Sequence, residues 1–217
     1  SGAFGLFEKK TVIAVGGYDS STMGEDMELV VRLHEFSRMN RKPYKIDFAQ
    51  DAICWSQTPE KLSELGKQRK RWQRGLFQCM WGHRKMLANP RYGAVGLLSY
   101  IYFLFYELLS PFIELFGILT MVLSVMMDML NVKFMLVFLA CYALYGILLT
   151  LTAYFSRIYT IDQRLSFREL SLAITACFFE TTFLRFYLAF VRVTAFVGYK
   201  KNKLNWGKLE RKKMNGI

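Results

Sequence analysis

Three long apolar runs fill the second half of the chain, and they restrict the fold more than anything else in it. Residues 94–127 are interrupted only by Glu107, Pro111 and Glu114, residues 134–155 carry no charge, and residues 170–199 carry Glu180, Arg185 and Arg192. In hydrocarbon every backbone N–H and C=O must find its partner within the protein, so such runs are helices. A single helix over 94–127 would be about 50 Å long, against a hydrocarbon core of about 30 Å. Pro111 is the place to divide it into an in-plane or re-entrant piece and a spanning piece. A charge at bilayer depth costs roughly 2.5 to 3.5 kcal/mol, so lone charges are not expected there. Glu107 and Glu114 share a helix face, as do Arg185 and Arg192. The two acids are therefore expected to face the two arginines. The rival reading puts both arginines at the cytosolic interface, on headgroups or polymer. Three runs are an odd number, whereas the polar first half and the basic residues at 200–213 both favour the cytosol. The last run is accordingly expected to be only partly inserted.

The polar half carries the chemistry. Residues 1–7 read as a strand of small residues, and 9–15 as one or two helical turns stopped by Gly16-Gly17. Ser20-Ser21-Thr22-Met23-Gly24 then feeds an amphipathic helix that begins Glu25-Asp26 and places Leu29, Leu33 and Phe36 on one stripe. Two acids in a first turn are ordinary helix capping. They are also a competent general base if a hydroxyl comes within hydrogen-bond reach. Residues 43–49 and 52–56 read as two short strands, and Thr58-Pro59 as the cap and first position of the next helix. On that helix Gln68, Arg71 and Trp72 stand at i, i+3 and i+4, so an amide, a guanidinium and an indole share a face. Arginine forks onto phosphate oxygens and an indole stacks on a sugar or base. The plainer reading is a basic amphipathic helix lying on lipid headgroups, its Leu62, Leu65, Leu76, Phe77, Met80 and Trp81 towards the apolar phase.

Charge narrows the partners. Lys and Arg total 29 against 17 Asp and Glu, a net +12, and no acid occurs between residues 66 and 92. Basic blocks beside apolar runs point to anionic lipid, and no signature of nucleic-acid binding appears. Cys54, Cys79, Cys141 and Cys177 have no paired spacing and read as reduced and structural. His34 and His83 lack a partner at metal-ligand spacing.

With Gly24-Glu25-Asp26 followed by Gln68-x-x-Arg71-Trp72, the chain resembles the membrane-embedded family 2 glycosyltransferases, the poly-N-acetylglucosamine, cellulose and hyaluronan synthases among them. The resemblance is close over residues 1 to about 92 and looser beyond. It implies an α/β fold: a partial GT-A-type domain, its acceptor-side half over 1–58, then an interfacial amphipathic helix over 59–92. An α-helical transmembrane region over 93–199 and a basic cytosolic tail over 200–217 follow. It implies Asp26 as the catalytic base with Glu25 beside it, and Gln68, Arg71 and Trp72 on the donor diphosphate and acceptor. Ser1, Gly2, Ala3 and Trp55 would line the acceptor site. The implied partners are a nucleotide-diphospho-sugar donor, a glycan or lipid-linked acceptor and membrane lipids, with no nucleic acid. The implied location is the plasma (inner) membrane, multi-pass, with the catalytic side cytoplasmic. The family's Mg²⁺ or Mn²⁺ is implied as well. No Asp-x-Asp occurs in this chain, so the metal ligands and the donor-binding half are expected upstream. The chain is expected to be the C-terminal part of a longer protein and inactive by itself. A non-processive transferase to a lipid-linked acceptor, and a non-catalytic membrane anchor or partner subunit, are the alternatives.

Overall fold

The computed structural model describes residues 5–41, 46–47, 49, 52, 56–129, 131–161 and 166–199. Ser1, Gly2, Ala3, Trp55, Cys54, the basic residues at 200–213 and most of the two strands expected at 43–49 and 52–56 lie outside them. Among the described residues there is no strand, so the architecture that can be stated is helical, and the α/β expectation rests on the resemblance alone. The chain divides into two compact units, one drawn from 1–47, 54–110 and 191–217 and the other from 48–53 and 111–190.

The first unit begins with α1 (Lys9–Ala14), which ends where Gly16 and Gly17 take φ of +89° and +73°. A side chain is disfavoured in that left-handed region, so the glycines stop the helix there. Helix α2 (Glu25–Met39) starts on its acids, as the pattern requires, and buries Leu29 and Leu33. Helix α3 (Leu62–Gly82) starts later than the Thr58-Pro59 signal. The N–H groups of Glu64 and Leu65 both turn back to the Lys61 carbonyl, so the first turn closes on Lys61. The chain leaves α3 through short 3-10 turns at Arg84–Met86 and Pro90–Tyr92. It then enters a helix wound partly as π: Val95–Ser99, α4 (Tyr100–Tyr102) and Phe103–Leu108. Leu76, Met80, Met86, Tyr92, Tyr100 and Leu108 form the core, with Met27, Val31 and Phe196 packed against it. The acid-bearing helix, the basic helix and the last described helical turn, Thr194–Phe196, thus share one apolar centre.

The second unit is built from α5 (Ser110–Met126), α6 (Val132–Ile161), α7 (Phe167–Phe179), a π segment (Glu180–Leu184) and the first part of α8 (Arg185–Val193), whose residues from Val191 on belong to the first unit, as does Ser110. Pro111 occupies the first turn of α5, where its missing N–H is least costly, and the apolar run 94–127 is broken at Leu109. A capping box closes the start of α7: Ser166 accepts from the Glu169 N–H, and Glu169 accepts from the Ser166 N–H. By length and composition Val132–Ser156 and Phe167–Phe196 each suffice to cross a membrane. The run expected to be partly inserted is therefore one of the two that qualify.

The expected pairing of charges occurs, each pair within its own unit. Arg185 reaches Glu114 at 2.7 Å and stacks over the Tyr142 ring at 5.3 Å. Arg192 lies 3.7 Å from the Glu107 carboxylate. Breaking such a pair strands a charge in apolar surroundings. Glu114→Arg is expected to lower the level of folded protein in membranes several-fold, and Glu114→Arg with Arg185→Glu to restore most of it, read by detergent-resistant monodisperse yield.

Candidate functional site

A cleft of about 340 Å³ opens in the first unit, lined by Met23 to Met27, by Arg69, Arg71, Trp72, Gln73 and Leu76 of α3, and by Phe103, Glu107 and Arg192. It forms because the loop before α2 is pressed onto α3 at a pair of glycines. A Cβ placed on Gly75 would fall 2.8 Å from the Gly24 nitrogen and 3.0 Å from its Cα, closer than real side chains approach backbone. Only hydrogen at Gly75 lets the two backbones meet there. Gln78, one helical turn further on, completes the clamp. Its Oε1 accepts from the Met23 N–H at 2.8 Å and from the Thr22 hydroxyl at 3.2 Å, and Thr22 Oγ1 accepts from the Gly24 N–H. The start of α2 is thereby fixed against α3 before any ligand arrives.

Glu25, Asp26, Arg71 and Trp72 all reach the cleft. One carboxylate oxygen of Asp26 accepts from the Met27 N–H at 2.8 Å, while the N-cap position itself is Gly24 and carries no side-chain cap. Trp72 is half exposed, and the Arg69 guanidinium covers one of its faces at 4.8 Å from the ring centre. Gln68 is half-buried on α3 and is not among the lining residues. In its place stands Gln73, which is 2% exposed. Arg69, Gln73, Phe103, Glu107 and Arg192 are cleft residues that spacing did not single out. The sequence did carry one signal for Glu107 and Arg192, their charge in an apolar run, but as an ion pair and not as a cleft wall.

The polar network behind the cleft explains the histidines. His83, at the end of α3, sits between two acids of α2, with Nδ1 on Glu35 and Nε2 on Glu28 at 3.2 Å, and Glu28 also accepts from Arg32 at 2.7 Å. Burial opposes its protonation, but the hydrogen bonds and negative charges of Glu28 and Glu35 outweigh that, and its pKa is raised above 6.5. A proton that binds more tightly in the folded state stabilises it. That contribution is complete below the unfolded value of about 6.5 and is lost as pH rises through the higher folded value. Thermal midpoints of the wild type should fall across that window relative to those of His83→Gln, the two converging at the alkaline end. Parallel curves for the two proteins at all pH values would contradict it. Burial lowers the pKa of His34, with Arg38 adding to the effect.

Cys79 is buried beneath the same helices, and burial, with the charges of Glu28 and Asp26, pushes its thiol up to about 12. A buried thiol held protonated is a poor nucleophile, in keeping with a structural cysteine. Cys79, Cys141 and Cys177 are free thiols. Among the described residues no three His, Cys, Asp or Glu side chains group as a metal seat. In the cleft Asp26 is engaged by a backbone N–H and Glu107 lies beside Arg192, so these residues do not fit a divalent cation.

Comparison with known proteins identifies a family. The family model described as glycosyl transferase family group 2 matches residues 1–197. Poly-beta-1,6-N-acetyl-D-glucosamine synthases of Staphylococcus aureus, strains COL and MSSA476, are 36% identical to the chain over 89 residues, 41% of this chain and 19% of each relative. The synthase of that name from Staphylococcus epidermidis is 35% identical over 89 residues, with the same coverage. The aligned stretch thus spans about a fifth of the curated relatives' length. No solved structure matches the chain.

Proposed function

The chain belongs to glycosyl transferase family group 2, and from that premise we propose that its cleft is the acceptor side of a site that moves a sugar from a nucleotide-diphospho-sugar to a growing glycan. The observation that carries the proposal is the convergence of Asp26, Arg71 and Trp72 on one cleft. Asp26 takes the proton from the acceptor hydroxyl as that oxygen attacks the anomeric carbon, which develops oxocarbenium character while the C–O bond to the diphosphate breaks. Attack opposite the leaving group inverts the anomeric centre. Arg71, with Gln68 near it on α3, holds the leaving diphosphate, a planar guanidinium being suited to two phosphate oxygens. The open face of Trp72 supports the terminal acceptor sugar. Glu25 adds negative charge beside the base.

Mg²⁺ or Mn²⁺, which the family resemblance implies, has no seat among the described residues, and the donor-binding half is proposed to lie upstream. The membrane is the inner one, crossed by the long apolar helices, with the cleft on its cytosolic side, where the basic residues of α3 meet anionic headgroups. A processive synthase feeding a polymer outward is the form of the reaction proposed. A non-catalytic anchor predicts motif residues dispersed over the surface, and the shared cleft counts against it.

Membranes carrying the full protein, supplied with a panel of UDP-sugars headed by UDP-N-acetylglucosamine, should release UDP and build glycan. Loss of the stacking platform in Trp72→Ala should raise the acceptor KM about fivefold, for an interaction of roughly 1 kcal/mol. Donor KM should move little. Equal acceptor KM in the two proteins would remove Trp72 from the site.

A further inference from the structure

The floor of the cleft is held by a chain of polar contacts that the family patterns do not include. Gln73 follows Trp72 directly, yet it is 2% exposed, and a buried amide needs both of its ends met. Its Nε2 donates to the Leu108 carbonyl at 2.9 Å, and its Oε1 accepts from Arg192 Nε at 2.8 Å. Nη2 of Arg192 donates to the Glu107 carbonyl and lies 3.7 Å from the Glu107 carboxylate. The Glu107 carbonyl stands where an α-helix cannot serve it. Pro111 has no N–H to offer the carbonyl four residues before it, that of Glu107. The Leu109 N–H goes back to Leu104 at 2.9 Å, as the π winding of Phe103–Leu108 dictates. A carbonyl left open in apolar surroundings demands an outside donor, and Arg192 supplies it. One residue further along α3, Arg74 donates to the Ala195 carbonyl at 2.7 Å, and Phe77 packs edge-on against Phe196. The stretch that follows Trp72 is thus fastened both to a broken helix and to the last described helical turn, Thr194–Phe196.

We propose that Arg192 is a positioning residue of the transfer cleft. By holding Gln73 and the Glu107 carbonyl in one fork it sets the register of Arg71 and Trp72 against the Phe103–Glu107 wall, and so the place of the acceptor sugar. This rests on the sugar-transfer reading. The geometry demands an arginine: a planar guanidinium serves two acceptors at fixed angles, whereas an ammonium keeps the charge without the fork.

The test uses the full protein in its membrane, with UDP-N-acetylglucosamine as donor and an N-acetylglucosamine oligomer as acceptor. Arg192→Lys should accumulate and unfold close to the wild type, yet lose about tenfold to a hundredfold in kcat/KM for the acceptor, since a displacement of about 1 Å costs on that order. Acceptor KM should rise more than donor KM. Should Arg192→Ala fail to accumulate, the lysine variant still decides the matter. Unchanged kcat and KM per folded molecule in Arg192→Lys overturns the proposal, as does a loss of activity that tracks only the loss of folded protein. Asp26→Asn run in parallel separates the two readings. If that variant is inactive while Arg192→Lys matches the wild type, positioning alone fails. If the wild type turns over no nucleotide-sugar, or Asp26→Asn is as active as the wild type, the transfer reading fails and carries this proposal with it.

Discussion

Asp26→Asn in the full protein should reduce sugar transfer by about a thousandfold or more, within the range of 10² to 10⁴ that a positioned general base contributes. Donor binding should be nearly unchanged. The substitution is unusually clean here. Among the described residues the Asp26 side chain makes one hydrogen bond, accepting from the Met27 N–H at 2.8 Å, and an asparagine oxygen can accept the same bond. Shape and volume are therefore kept, and what is removed is the negative charge and with it the capacity to take a proton. The measurement is kcat in membranes beside UDP-sugar binding in the same preparation. Loss of binding together with turnover would mark Asp26 as a structural carboxylate, and full turnover would end its role as base.

Gly75→Ala is expected to have the second large effect, although it adds one methyl group and touches no proposed ligand. The new Cβ would meet the Gly24 nitrogen at 2.8 Å, its Cα at 3.0 Å and the Met23 carbonyl carbon at 3.1 Å. These are backbone atoms and cannot rotate away. Either α3 or the loop bearing Glu25 and Asp26 must move by several tenths of an ångström. Overpacking of this kind costs typically 1–3 kcal/mol, and misplacing a base against its substrate costs about a hundredfold for each ångström. A fall in thermal midpoint with a loss of transfer of about tenfold is the expected result. Gly82→Ala is the control: nothing lies within 4 Å of its added Cβ, and alanine favours a helix by about 1 kcal/mol over glycine. Equal behaviour of the two variants would show that the glycine contact does not set the cleft.

Several of these features were legible in the sequence because they depend on local rules. The stop at Gly16-Gly17, the acid-led start of α2 and the break near Pro111 follow from backbone freedom, the helix dipole and a missing N–H. The facing of Glu107 and Glu114 by Arg192 and Arg185 followed from helical spacing and the cost of charge in an apolar medium. The burial of Gln73 was not legible, because a glutamine beside Arg71 and Arg74 looks like part of a solvated face. Its partners are set by chain segments 35 and 119 residues away. The Gly24–Gly75 contact was hidden for the same reason, since neither glycine needs an unusual φ and only tertiary approach reveals the need. The π winding of Phe103–Leu108, which accompanies Phe103 and Glu107 on the cleft wall, has no periodic signal in so short a run. Thr58-Pro59 misled in the opposite direction: a sound local start signal was passed over in favour of Lys61.

Because a guanidinium already covers one side of the indole at residue 72, an acceptor sugar seated there as proposed has a single flat surface to rest upon. A ring held between two aromatic plates must be pulled out edgewise, letting go of both at once. A ring seated on one plate can glide sideways, giving up its seat to solvent by degrees and meeting a lower barrier to departure. The arrangement trades grip for ease of movement, as a bench does compared with a vice.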